Sequence, residues 1–316
     1  MDASLERKSK QPDNGRVILI AGPTASGKSA FALKVAAECN GVIVNADSMQ
    51  LYEDLRIVSA RPSAAEEDLV PHRLYGILPA STAFSTGAWL RLAAKEIDGL
   101  RADGKVPVVV GGTGLYFKGL TEGFADMPEI PDDVRQAARA LCDREGVDGL
   151  RAALAREGDE EAAAALNDPQ RLSRALEVIV ATGKPLSVWQ ASAQTDPFLS
   201  ADDSIRIVLA PPRSWLHDRI EQRARLMLSE EGIGEVRMLL EQGLSPQLPA
   251  MRAIGVAEIR DFLSGETGYE DTVHRLTVAT RQYAKRQETW FRNQMPDWQR
   301  VDPSDGIRAD EVAAQL

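Results

Sequence analysis

Three short apolar runs in the first 125 residues are each followed by a polar turn and then by residues whose apolar character recurs every three or four positions. Val17-Ile18-Leu19-Ile20 leads into a glycine-containing stretch and then Ala30–Glu38. Gly41-Val42-Ile43-Val44 becomes polar at Asn45-Ala46-Asp47-Ser48-Met49-Gln50-Leu51-Tyr52, and Val106-Pro107-Val108-Val109-Val110 ends in Gly111-Gly112-Thr113-Gly114-Leu115-Tyr116. Unbroken apolar runs of this length, bounded by turn residues, read as parallel strands buried on both faces, and the 3.6-residue period between them reads as helix. A further helix-compatible stretch runs from about Ser85 to Leu100, after a polar loop holding Arg56, Arg61 and Pro62 and the segment Pro71-His72-Arg73. Residues 126–200 change character. Pro128 and Pro131 open a helical pattern over Pro131–Arg144, Val147–Arg156, Glu160–Leu166 and Pro169–Ala181, with Asn167-Asp168-Pro169 as a start signal and Thr182-Gly183 as a stop. Ile205–Ala210 returns to a strand pattern, read as the last strand. A helix capped by Ser214 follows, and another runs from about Tyr269 to Asn293. The expected architecture is α/β: a parallel sheet flanked by helices, built from residues 15–125 and 200–300, with an all-helical insertion over 126–199 and flexible or peripheral ends at 1–14 and 301–316.

The turn after the first strand carries the chemistry. Gly22-Pro23-Thr24-Ala25-Ser26-Gly27-Lys28-Ser29 reads G-x-x-x-x-G-K-S between a strand and a helix. In that context backbone N–H groups converge on a phosphate, the helix N-terminus contributes its positive end, Lys28 adds a point charge and the Ser29 hydroxyl reaches a magnesium ion. Ligands of open α/β sheets lie beyond the carboxyl ends of the strands, which places Asp47, Ser48 and Gln50 close to this loop. Asp47 is a candidate general base; a helix cap or an indirect partner of magnesium is the alternative. Where many ATPases carry an acidic residue that positions an attacking water, this chain has Gly111-Gly112-Thr113, which suits group transfer better than hydrolysis. Those glycines let backbone approach the bound phosphate or its acceptor, and Thr113 offers an uncharged hydroxyl or caps a tight turn. His72, beside a proline and without an orienting partner in sequence, reads as structural.

Composition narrows the classes. With 316 residues and 44% hydrophobic content the chain can fill one or two domains. No apolar run approaches the roughly 20 residues of a membrane span, and residues 1–14 lack the apolar centre of a signal peptide, so a cytoplasmic protein is expected. Cys39 and Cys142 are the two cysteines and stand far apart, so no disulfide framework or zinc site is indicated. The net charge of −10 argues against indiscriminate nucleic-acid binding. Local basic faces coexist with it. Arg171 and Arg174 share a helical face, as do Arg219 and Arg223, and His274–Gln294 holds five Lys or Arg against one Glu, with Arg281, Lys285 and Arg292 at helical spacing and Tyr283 and Trp290 on another side. For Arg171 and Arg174 the alternative is two solvated arginines, and for the last helix a surface helix packed by Tyr283 and Trp290.

Together the phosphate loop, Asp47–Tyr52, Pro71-His72-Arg73 and Gly111–Tyr116 resemble the tRNA dimethylallyltransferases, also called tRNA isopentenyltransferases, in order and spacing. The likeness continues through Asn167–Glu177, Arg219–Arg223, Arg252-Ala253-Ile254-Gly255 and Ala279–Trp290, so it covers roughly residues 16–300. It implies a P-loop NTPase-like fold and a magnesium-dependent transfer of the dimethylallyl group from dimethylallyl diphosphate to N6 of the adenosine on the 3′ side of the tRNA anticodon. Gly22–Ser29 would hold the donor diphosphate and Arg223 would contact it; Asp47, Thr113 and Arg223 would be the catalytic set. Contacts to the anticodon loop would come from Asp47, Ser48, Met49, Gln50, Thr113, Arg135, Gln170, Arg171, Leu172, Ser173 and Arg174, with Arg281 and Lys285 on the basic C-terminal helix. A bacterial type is expected, since the zinc-finger extension of eukaryotic members is absent, and a monomer is expected. Ser29 stands where threonine is frequent, Arg56-Ile57-Val58-Ser59-Ala60-Arg61-Pro62 departs from the usual D-I-G-T-A-K-P, and Val256 replaces a frequent aromatic. A nucleoside or small-molecule kinase and a non-catalytic RNA-binding protein on a degenerate phosphate loop are the competing readings.

Overall fold

The computed structural model describes residues 15–124, 130–192, 197–303 and 309–316; residues 1–14 and Pro128 lie outside these ranges. Six strands form one sheet: β1 Val17–Ala21, β2 Gly41–Asn45, β3 His72–Arg73, β4 Val106–Gly111, β5 Ser204–Leu209 and β6 Gln299–Val301. Their order is β3-β2-β4-β1-β5-β6 and every pairing is parallel. The edge strands β3 and β6 have two and three residues, too few to show a pattern in sequence, and β6 rather than β5 closes the sheet.

The helices are α1 Lys28–Glu38, α2 Ala64–Leu69, α3 Thr86–Ala102, α4 Gly114–Glu122, α5 Asp132–Arg156, α6 Glu160–Ala165, α7 Pro169–Thr182, α8 Leu186–Ser192, α9 Arg213–Met227, α10 Glu230–Glu241, α11 Val256–Leu263, α12 Tyr269–Gln294 and α13 Ala309–Ala313. Successive strand side chains point to opposite faces, so each strand feeds two cores. Val17, Leu19, Val44 and Val109 pack with Trp89, Ile97 and Phe117 of α3 and α4. Ile18, Ile20, Ile43 and Val108 pack with Phe31 and Val35 of α1 and with Ala309 and Val312 of α13. A third cluster joins Ala224, Val236, Ile259 and Leu276 of α9–α12. The helix expected to be capped by Ser214 starts two residues earlier: Pro212 is its cap and Ser214 sits in the first turn.

The described chain divides into two compact units, one reaching Thr121 and resuming at Phe198, the other Glu122–Pro197. Among its described residues the regular elements of the second are all helices. Its long α5 breaks at Gly146 (φ 64°), between the two helical stretches the sequence suggests. Asp168 caps α7 by accepting from the Arg171 N–H at 3.0 Å, and Gly183 ends it at φ 68°. Ala138, Leu150, Leu154, Leu172 and Leu176 form the core of this unit.

Candidate active site

After β1 the chain turns through Gly22–Gly27 into α1. Gly27 takes a left-handed conformation (φ 81°), and Ala25 does so too (φ 63°), which a non-glycine residue adopts only when its surroundings hold it there. Ser26 N–H donates to the Pro23 carbonyl (3.2 Å) and closes the turn. Lys28 Nζ folds back onto the same carbonyl at 3.2 Å. Burial holds the Lys28 ammonium well below the ordinary lysine value, at about 8; the Asp47 carboxylate opposes that shift and the Arg223 guanidinium adds to it. Ser29 follows in the first turn of α1, half-buried.

Two arginines of α9 reach this loop. Arg223 Nη1 donates to Thr24 Oγ1 (2.6 Å) and Nη2 to the Val58 carbonyl (3.2 Å). Arg219 Nε donates to the Ala25 carbonyl (3.1 Å), and its guanidinium lies 4.7 Å from the Trp215 ring centre. Burial lowers the affinity of Arg223 for its proton, with Asp47 opposing. Ser26 Oγ and Arg223 Nε are buried without a hydrogen-bond partner in the protein. Buried polar atoms normally find partners, so this pair beside a glycine-containing loop and a buried ammonium fits an anionic ligand.

The ends of β2 and β4 form the other wall. Asn45 is wholly buried; its amide donates to the Asp47 and Leu74 carbonyls (3.0 Å each) and its Oδ1 accepts from the Asp47 N–H (2.8 Å). That frame sets the backbone from which the Asp47 carboxylate projects, and Asp47 Oδ1 accepts from the Met49 N–H at 3.0 Å. Thr113 Oγ1 accepts from the Ser48 N–H (3.0 Å) and donates to Ser48 Oγ (3.3 Å), so its hydroxyl ties β4 to β2. Beside Ser48 and Thr113 opens a cavity of about 220 Å³ walled by Met49, Phe84, Tyr116 and Pro249. Tyr283 of α12 feels both Asp47 and Arg223: burial and Asp47 raise its phenol pKa, and Arg223 pulls it down.

Gln50 is turned inward, donating to the Ser59 and Ala60 carbonyls (3.0 and 2.9 Å), so its side chain braces the 55–61 loop. Leu172 is a core side chain of the helical unit. Arg171 and Gln170 are exposed, Ser173 is half-buried, and Arg174 and Arg135 pair with Glu177 (3.4 Å) and Asp132 (3.8 Å) on their own helices. On α12, Lys285 is exposed and Arg281 half-buried, near enough to His217 for its charge to help burial lower that imidazole's pKa. His72 is structural: Nδ1 bonds the Val70 carbonyl at 2.7 Å and burial lowers its pKa.

Three buried or half-buried polar residues went unread in the sequence. Asn45 is one. Glu235 of α10 accepts from the N–H groups of Arg56, Ile57 and Val58 at 2.7–3.1 Å and so fixes the loop that Arg223 contacts. The third is Gln287 of α12, which takes the Thr24 N–H (2.8 Å) and donates to the Gly112 carbonyl (2.9 Å). Only the polar end of a strand pattern pointed to Asn45; Glu235 gave no local signal, and Gln287 lies in the Ala279–Trp290 stretch with nothing in it to show what the side chain faces.

A parallel sheet with a phosphate loop at the carboxyl end of β1, a carboxylate at the end of β2 and an uncharged hydroxyl after β4 defines a P-loop NTPase-like α/β protein arranged for group transfer. Comparison with known proteins gives the particular family. The chain belongs to the IPP transferase family: the model of that family matches residues 50–294, and one described as isopentenyl transferase matches residues 15–77. It is 50% identical over 293 residues to the tRNA dimethylallyltransferase of Agrobacterium fabrum, covering 92% of this chain and 98% of that one. It is 48% identical over 302 residues to that of Rhodopseudomonas palustris, covering 95% and 92%. The crystal structure of the tRNA isopentenylpyrophosphate transferase from Bacillus halodurans superimposes with a TM-score of 0.65 at 33% identity, covering 95% of this chain and 94% of that one. A eukaryotic dimethylallyltransferase acting on tRNA gives a TM-score of 0.77 at 27% identity, covering 95% and 77%.

Proposed function

We propose that this enzyme transfers the dimethylallyl group from dimethylallyl diphosphate to N6 of the adenosine that follows the tRNA anticodon on its 3′ side. The observation that carries this reading is the convergence of Asp47, Lys28 and Arg223 at one partly buried site, with Thr113 holding Ser48 on its acceptor side. The lone pair of an aryl amine is delocalised and a weak nucleophile. As N6 bonds to C1 of the dimethylallyl group, the C1–O bond breaks and diphosphate leaves with the electron pair. The amine proton passes to Asp47. Lys28 and Arg223 stabilise the charge that grows on the leaving group, and the buried Ser26 hydroxyl donates to it. The apolar and aromatic walls beside Ser48 and Thr113 suit an extruded base, whose unstacking costs a few kcal/mol that RNA contacts offset. Those contacts are assigned to Arg135, Gln170, Arg171, Ser173 and Arg174 of the helical unit and to Arg281 and Lys285 of α12.

Among the described residues no group of three His, Cys, Asp or Glu could hold a metal unaided. A magnesium ion here would be bound by Ser29 and draw its other ligands from diphosphate oxygens and water, which is how that ion is commonly held with phosphate substrates. When bound, it supplies further positive charge to the leaving diphosphate. The kinase reading is not favoured, since the family match covers the chain and the site offers an acceptor wall.

Mass spectrometry of tRNA nucleosides from cells with and without this protein tests the reading, with purified enzyme given dimethylallyl diphosphate or ATP as the complement. Loss of a prenylated adenosine without the protein is expected; its persistence would remove the proposal. Asp47→Ala should lower the rate on bound substrates by about 10²–10⁴, the range for losing a general base, and leave tRNA affinity little changed. Collapse of tRNA binding with the rate intact would make Asp47 an anchor instead.

A further inference from the structure

The proposed transfer needs donor and acceptor in register; β1 and β4 pair in parallel as far as Ala21 and Gly111, and the phosphate loop and the turn after β4 leave the sheet side by side from there. One side chain joins them. Gln287 is buried on α12, its Oε1 accepting from the Thr24 N–H (2.8 Å) and its Nε2 donating to the Gly112 carbonyl (2.9 Å). Both partners are backbone groups of fixed polarity, so only a group with an acceptor and a donor at that spacing satisfies both. Each partner leads directly to a working side chain. Thr24 Oγ1 accepts from Arg223, and Gly112 precedes Thr113, whose hydroxyl holds Ser48. The fit is tight: a Cβ on Gly112 would lie 2.4 Å from Gln287 Nε2 and 3.3 Å from Asp47 Oδ2. The helix carrying the amide is itself seated, since the Trp290 ring leaves no room for a Cβ on Gly114.

We infer that Gln287 is a positioning residue for the transfer reaction: its carboxamide sets the distance between the loop that holds the donor diphosphate and the turn that holds the acceptor. This rests on the function proposed above. A misplacement of reacting groups by an ångström costs rate and not necessarily affinity, which separates positioning from simple bracing. Gln287→Met keeps volume and removes both hydrogen bonds. Gln287→Glu keeps an acceptor for Thr24 but sets a carboxylate against the Gly112 carbonyl. Gly112→Ala displaces the amide from the other side.

The test measures donor affinity, tRNA affinity and the single-turnover rate with both substrates saturating, per donor-binding site, in the full-length enzyme and the three variants. Wild-type transfer to tRNA checks the function itself; if the wild type is inert, that reading fails first. Given wild-type activity, the saturated rate should fall about 10²-fold in Gln287→Met and Gln287→Glu while both affinities stay within about threefold. Gly112→Ala should show the same split. Saturated rates within about threefold of wild type, or losses confined to affinity, would overturn the inference. Should Gln287→Met fail to fold, the other two variants decide.

Discussion

Lys28 shows what the site costs the fold. Its ammonium is buried against a single carbonyl, and burial brings its pKa down from the ordinary lysine value of 10.5 to about 8. The unfolded chain therefore binds more protons than the folded one between those two values, and folding stability rises with pH across that window. Below about 8 the whole penalty is present. At pH 7, Lys28→Met should stabilise the ligand-free protein, by at most about 3 kcal/mol, while weakening dimethylallyl diphosphate by about 10–100-fold through loss of a charged hydrogen bond. Thermal unfolding with and without donor reads both; a lower melting temperature for the ligand-free variant would show that the lysine braces the loop. Wild-type donor affinity should also decline as pH rises past about 8. At this scale Lys28, Asp47 and Thr113 were legible because each follows its strand within a few residues. Gln287 was not: its partners lie 263 and 175 positions away, and a glutamine in a basic helix carries no mark of what it faces.

The ends of β2 and β4 illustrate the element scale. The glycine pair at 111–112 reads in sequence as room for a substrate, but in the fold the room is taken by protein. A Cβ on Gly111 would lie 2.0 Å from the Ala46 carbonyl oxygen, so β4 can end beside β2 only without a side chain there; Gly112 makes way for Gln287. The same Ala46 carbonyl accepts the Thr113 N–H at 3.2 Å, so the close approach also places the hydroxyl that meets Ser48. Gly111→Ala should thus destabilise the protein by about 1–3 kcal/mol or more, the usual cost of overpacking against backbone that cannot yield. Chemical denaturation gives the measurement, and an unchanged midpoint would mean the strand ends part freely. The long buried strands and amphipathic helices were legible because period and length agree over many residues. The edge strands were invisible since two or three residues have no period, and the Pro212 cap was missed because Ser214 has the better intrinsic capping chemistry.

At the scale of the whole molecule, an acidic protein of net charge −10 must concentrate positive charge where RNA is to bind. Two sets of arginines bear on the substrates. Arg223 is half-buried and committed to Thr24 and Val58, whereas Arg174 and Arg171 lie on one helix face, with Arg174 paired to Glu177 at 3.4 Å. Phosphate contacts release counterions, so each contact to RNA adds to the salt dependence of tRNA binding, by about 0.7 in log–log slope where the RNA is single-stranded. A residue confined to the donor pocket adds nothing to that slope. Arg174→Ala should therefore weaken tRNA binding and flatten its salt dependence by about that amount, while Arg223→Ala impairs use of dimethylallyl diphosphate and leaves the slope as in the parent. Affinity measured across a salt series for both variants distinguishes the groups. Parent-like slope in Arg174→Ala would make that side chain a helix-surface ion pair and move the RNA contact elsewhere on the unit; an altered slope in Arg223→Ala would place that arginine at the RNA and leave Lys28 as the cation of the donor site.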